Sequence, residues 1–414
     1  MESLSPEIDK LEAADLERAY RTDAHAFMQW FDAMYAGHSD NALLQAWHAR
    51  LNYREESGSV PRKNLLLYTI LISTLTWAIA KLPEFISVDE EWFYPRFIPF
   101  LVIGVLVAYF NINREPDHKL ILQSAGAGLV LLLILFLMPD YQYSDSIIMA
   151  LIHMPLVLIS LLGFVFGEGQ WRNVSGRLNY IRYGGELIIY TALVLMGGLV
   201  LSGLTLGLFS LIGFRLEEWY FSFVGVWGAM SAPLIATWVW DQVLKRESKL
   251  ASIIANVFSP LFLLMTVAYL LALLGEQRSP FQDREFLIVF NGLLLVVWGI
   301  SVFSITGRND KASKLMDLTN LALVFVTLII DAIALAAIVY RLFEFGITPN
   351  RIAVTGANLL IFIHLVWIFY EYAKEYRGSG SIEVIKTTIA RYLPVYTGWS
   401  VFVVVVLPLL FGFD

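Results

Sequence analysis

Few residues of this chain stand where they could do chemistry, because most ionisable groups fall between long apolar runs. Asp331 is the clearest exception. It lies about 13 residues into the apolar run 318–340, near its centre. His364 sits near the middle of the run 349–372 and His153 in the outer half of 146–166, outer being the side fixed by loop charge below. Asn291 and Asn358 occupy the outer halves of 285–305 and 349–372, and Arg351 opens the latter. A charge in hydrocarbon costs at least about 2.5–3.5 kcal/mol on insertion scales, so each needs a partner or a task. The functional reading has Asp331, His364 and His153 lining a midplane cavity that binds a cation, a proton or a head group. Asn291, Asn358 and Arg351 would serve its outer end. The plainer alternative has Asp331 bonded to a neighbouring hydroxyl or amide and tying two helices together, as neutral imidazoles also do across helices.

Helical phase sorts these groups. Asn320, Thr327 and Asp331 are spaced by seven and four and share one helix face. Arg351, Thr355 and Asn358 share another, and His364, Trp367 and Glu371 a third. Two further acids sit at helix ends. Glu186 follows Gly184–Gly185 at a helix start, where the macrodipole favours a carboxylate. Asp241 forms an i,i+4 pair with Lys245.

Other chemistries are excluded by what is missing. With no cysteine there is no disulfide, thiolate nucleophile or iron–sulfur cluster. The chain has no HExxH, GxSxG or P-loop motif. Its six histidines form no pair at ligand spacing inside an apolar run. No catalytic, cofactor-binding or metal-ligating residue is therefore expected. A net charge of −7 argues against nucleic acid as a partner.

The elements that position the polar groups follow from composition. Of 414 residues, 57% are hydrophobic and only 16% charged, against about 25% charged in soluble domains. Mean hydropathy is +0.64. Lipid is thus the main solvent. Eleven apolar stretches of about the length a ~30 Å hydrocarbon core demands lie near 64–82, 95–112, 119–138, 146–166, 184–213, 219–243, 252–275, 285–305, 318–340, 349–372 and 393–412. With the N-terminus inside, 22 of the 29 Lys and Arg fall on the inner side and 7 on the outer. The positive-inside rule then predicts an all-α polytopic membrane bundle, N-inside and C-outside. The outer loops lean acidic at Glu84, Asp89, Glu90 and Glu91.

Residues 1–63 differ from the membrane domain, 64–414. They hold 7 Lys/Arg and 11 Asp/Glu and no run able to cross a bilayer. Periodicity predicts short amphipathic cytoplasmic helices over 22–35 and 41–53, then a linker at Ser57–Gly58–Ser59–Pro61. Trp30 and Trp47 offer apolar surface to a protein partner. The fifth span is long and carries Gly197, Gly198, Gly203 and Gly207, a pattern for close crossing, tilt or a break. The sixth continues with Gly225 and Gly228, which predicts intimate contact between the two, and Pro233 predicts a kink.

Phe345–Gly346–Ile347–Thr348–Pro349–Asn350–Arg351 connects the ninth and tenth spans. Gly346 suits positive φ, Thr348 a cap and Pro349 the first helical position. This stretch resembles a motif of a bacterial inner-membrane family, domain of unknown function 4153. Ser259–Pro260–Leu261–Phe262–Leu263 and Asp283–Arg284–Glu285–Phe286 running to Phe290–Asn291 are similar to the same family. The resemblance covers roughly residues 180 to 375. It implies a multi-pass bacterial inner-membrane protein and no particular reaction.

Three functions fit these features. A transporter or permease would use the midplane groups on an ion or small molecule. A non-catalytic scaffold or sensor would recruit a partner through the N-terminal helices. An enzyme on a lipid-linked substrate would grip phosphate with Arg341 or Arg351.

Overall fold

Every regular element among the described residues is helical, because no other open structure satisfies its backbone in lipid. The computed structural model describes residues 12–22, 24–38, 40–51, 64–113, 117–140, 144–275, 284–308 and 314–413. The chain divides into two units, Met1–Ser59 and Val60–Asp414. The expected linker at 57–61 lies outside the described residues.

The first unit holds α1 (Ala13–Thr22), α2 (Ala24–Gly37) and α3 (Ala42–Leu51). Two of these match the periodicity; α1 had been hidden by its acidic flank. Leu16, Phe27, Phe31, Leu44 and Trp47 close a core of their own. The aromatics therefore form an interior rather than an open docking stripe. Glu17 joins α1 to α3 through Arg50 and also accepts from Arg21 at 2.7 Å. The Arg50 guanidinium foremost, and Arg21 with it, hold the Glu17 carboxyl at about 2, below its usual 4.5. A lowered carboxylate contributes stability above its unfolded value and loses it as pH falls through the folded one. Hydrogen-exchange protection of α1 and α3 should fall between pH 4.5 and about 2. In Glu17→Gln that step should vanish; persistence of the same step would assign it to another group.

The second unit contains α4 (Leu65–Ala80), the single turn α5 (Leu82–Ile86), α6 (Glu90–Ile112), α7 (His118–Leu137), α8 (Asp145–Phe166) and α9 (Val174–Leu211). Then follow α10 (Glu217–Val243), α11 (Leu250–Gly275), α12 (Arg284–Thr306), α13 (Lys314–Phe345), α14 (Pro349–Tyr376) and α15 (Ile382–Leu410). Ten helices, α6 to α15, are long and apolar enough to cross a membrane. The first expected span is the shorter α4. Its 16 residues give about 24 Å at 1.5 Å each. It nonetheless runs antiparallel to α10 over most of that helix's length. Leu65 shares a core with Leu234 and Trp240. The Trp227 indole donates to Thr74 at 3.3 Å, and Trp77 and Lys81 reach Phe223. With α4, the described residues of the second unit hold eleven apolar helices of 16 residues or more.

Direct hydrogen bonds sort the helix ends into two sets. Asn113 donates to Asp241 (2.5 Å), Ser248 to Glu186 (2.6 Å), Arg182 to the Thr306 carbonyl (3.1 Å), Arg308 to Glu375 (3.1 Å) and Arg177 to the Ala390 carbonyl (3.2 Å). These bonds, with that of Arg308 to Asp317 on α13 (2.7 Å), gather one end of α6 and of α9 through α15. The basic loops lie at those ends, forming a single basic face. At the opposite face Arg96, in the first turns of α6, donates to the Pro139 carbonyl beyond α7 (3.1 Å). One helix too many or too few would pair ends of opposite kind.

Gly197, Gly198, Gly203 and Gly207 of the fifth span mark neither a break nor a close crossing. The span is one unbroken helix of 38 residues, about 57 Å long. A Cβ added at Gly197, Gly198, Gly203, Gly207 or Gly228 would meet nothing within 4 Å. The close contacts of α9 with α10 come instead from Tyr183 and Ser202, through Thr237 (2.9 Å) and Tyr220 (3.3 Å). Close packing is at other glycines. At Gly185 a Cβ would lie 2.9 Å from Ala251 Cβ and Phe303, and at Gly356 it would enter the Trp399 indole. A rigid ring cannot step aside, so Gly356→Ala should cost about 1–3 kcal/mol as an overpacked site. A lowered melting temperature, restored in part by adding Trp399→Leu, would verify this; an unchanged melt would refute the contact.

Candidate functional site

Of the midplane groups, Asp331 is on α13 and His364 on α14, whereas His153 is on α8. Helical phase holds for α13: Asn320, Thr327 and Asp331 are all buried. Asp331 is 0% exposed, and neither carboxylate oxygen has a hydrogen-bond partner. Thr327, one turn away, does not help it, because its hydroxyl donates to its own Leu323 carbonyl at 2.6 Å. The expected tie to a neighbouring hydroxyl or amide is therefore not formed.

His364 on α14 lies 2.9 Å, Nδ1 to hydroxyl, from Tyr396 on α15. Its ring stacks on Tyr392 at 4.3 Å and 10°. Trp298 of α12 packs edge-on against Tyr396 at 5.6 Å. Tyr396 thus joins α15 to the imidazole on α14, while Asp331 on α13 makes no hydrogen bond to either. Tyr392, Tyr396 and Trp298 were missed in sequence. An i,i+4 tyrosine pair at the start of the last span was the available signal, lost among ordinary interfacial aromatics.

The remaining candidates separate. Asn358 donates to Asn291 at 2.7 Å and joins α14 to α12 on the outer side. His153 bonds back to its own helix, at the Met149 carbonyl (2.8 Å). Arg351 spends Nη1 on the Phe345 and Gly346 carbonyls at 2.7 and 2.6 Å. It thereby caps the C-terminus of α13, where cations are favoured. The loop behaves as its residues dictate: Gly346 has φ +81, Thr348 accepts from the Arg351 N–H (3.3 Å), and Pro349 opens α14. The supposed stripe of His364, Trp367 and Glu371 is not one buried face. His364 is buried while Trp367 is exposed, because the covered stripe runs from His364 to Leu365, Ile368 and Tyr372. Of the segments that carried the resemblance, Asp283 lies outside the described residues.

Both acids at helix ends are held differently from expectation. Glu186 is buried in the second turn beyond the first basic residues of α9 and caps α11, accepting from Ser248 (2.6 Å) and the Ala251 N–H (2.9 Å). Asp241 pairs with Arg246 rather than Lys245 (2.5 Å). The cause is a π-helical turn over Val239–Val243, closed by the Leu244 N–H on the Val239 carbonyl. Lys245 and Arg246 then take φ of +50 and +62, which folds the arginine back over the acid. Tyr109, Asn113 and Gln242 also donate to Asp241, at 2.8, 2.5 and 2.8 Å. On the same face Arg308 bridges Asp317 (2.7 Å) and Glu375 (3.1 Å). No group of three or more metal-ligating side chains occurs among the described residues.

The architecture defines an integral, multi-pass α-helical membrane protein. No protein-family model, curated protein or solved structure matches the chain.

Proposed function

We propose that this chain is a transporter or permease of the bacterial inner membrane, related to the family named above, that moves a proton or small cation past Asp331. The observation that carries this reading is the Asp331 carboxylate, buried at mid-bundle with both oxygens unpartnered. A carboxylate that merely joins helices keeps its lone pairs satisfied, because an orphaned buried acceptor costs about 1–3 kcal/mol and more when charged. One left open is suited to receive a proton or a cation. Tyr396 and His364 supply a bonded hydroxyl and imidazole on α15 and α14, groups able to hand a proton along.

For the enzyme reading, Arg351 spends Nη1 on main-chain carbonyls, which leaves Arg341 as its phosphate-gripping candidate. The test is proton flux in proteoliposomes carrying wild type or Asp331→Asn. Abolished flux at equal reconstitution supports the reading; equal flux removes Asp331 from it.

A further inference from the structure

At the face opposite the basic loops, the first turns of α6 and α8 and Asp140, beyond the end of α7, line a half-open cavity of about 330 Å³. That volume lies at the lower end of small-molecule sites, roughly 300–1,000 Å³. Arg96 lines it and is 4% exposed. Two main-chain carbonyls fix the guanidinium, Trp92 to Nη1 and Pro139 to Nη2, each at 3.1 Å. Its Nε is buried and has no partner. The cation is therefore held by neutral acceptors and keeps donors unspent, an arrangement suited to a phosphate oxygen.

The rim has the opposite sign. Asp89, Glu91 and Asp140 line the same cavity and are exposed. Asp89 uses Oδ1 to cap α6 through the Glu91 N–H (3.0 Å), which leaves its other oxygen open. One wall is apolar: Ile148 and Ile152 line the cavity, yet are 40% and 56% exposed on the outside of the bundle. A ligand suited to this lining has an anionic group for Arg96, a cationic group for the acidic rim, and hydrocarbon to lie along α8.

We propose that this cavity is a binding site for the headgroup of an amine-bearing phospholipid, with phosphate on Arg96, ammonium between Asp89 and Asp140, and an acyl chain along Ile148 and Ile152. The same phosphate–ammonium chemistry exists in a free phosphoamine, and the lipid-facing wall favours the lipid. The site stands apart from Asp331 and requires no transport activity.

The full-length protein in detergent should be titrated by native mass spectrometry with phosphatidylethanolamine, phosphatidylglycerol and soluble phosphoethanolamine. Phosphatidylethanolamine should bind about tenfold more tightly than phosphatidylglycerol, which places no cation between the two carboxylates. Asp140→Asn, an exposed change, and Ile148→Trp, which fills the cavity from the lipid side, should each erase most of that difference while the protein stays monodisperse. Arg96→Lys keeps the charge but loses the fork and should weaken both lipids. Equal retention of the two lipids, or a preference untouched by Ile148→Trp, would overturn the proposal. Displacement by soluble phosphoethanolamine at the concentration effective for the lipid would overturn the lipid assignment in favour of a free solute.

Discussion

Asp331→Asn should melt higher than the wild type and carry no proton flux. The two halves of this expectation come from one fact: the carboxylate is wholly enclosed and accepts no hydrogen bond. An orphaned charge is the costliest polar group to bury, several kcal/mol even after relaxation. An amide of the same shape leaves its own polar atoms unpaired but carries no charge, so the difference favours the variant by about 1–3 kcal/mol. A stabilising loss of function is the usual mark of a group kept for its task. If Asp331 were instead a fastening between α13 and a neighbour, Asn would weaken it and the melting temperature would fall. Thermal unfolding of the purified protein therefore separates the two readings before any flux is measured. A lowered melt together with retained flux would remove both the site and the transport reading that rests on it.

Lipid made the fold legible. Because every backbone group in hydrocarbon must bond within its own segment, length and hydropathy alone placed ten of the long helices. The first expected span is α4, too short to count with those ten, and it lies along α10. Side-chain partnership was less legible, for specific reasons. An i,i+4 rule assigned Asp241 to Lys245, but a π turn adds a residue to the repeat and brings Arg246 into place. Glu186 was read against its own helix, whereas α9 begins 12 residues earlier, at Val174, and the acid caps α11. Small residues were read as contact seams, but whether a glycine is approached depends on the helix opposite. Gly203 meets nothing and Gly356 meets Trp399. Burial of Asp331 was foreseeable from its central position. Its lack of a partner was not, because Thr327 stands one turn away in sequence and turns its hydroxyl back to Leu323.

Asp241→Asn should be the most destabilising single change on the basic face, at about 3–5 kcal/mol, the cost of stranding one half of a buried ion pair. Three donors reach Oδ2 and the guanidinium reaches Oδ1. The amide keeps one acceptor and aims its own N–H groups at a neighbour that has only donors to offer. Arg246 loses its counter-charge with its side chain only 21% exposed. Removing that charge as well, in Asp241→Asn with Arg246→Met, should recover part of the loss, with a coupling of about 1–3 kcal/mol between the sites. Lys245→Ala should change the melt by no more than about 0.5 kcal/mol, as a surface substitution does. This triple comparison measures the π turn through its consequences. In a regular α-helix the sensitive partner would be residue 245, so sensitivity at 246 alone requires the extra residue in the turn. If Lys245→Ala proved the damaging change and Arg246→Met the silent one, the backbone at Val239–Val243 would have to be α-helical, and the joint between α6 and α10 that Asp241 makes would need another explanation.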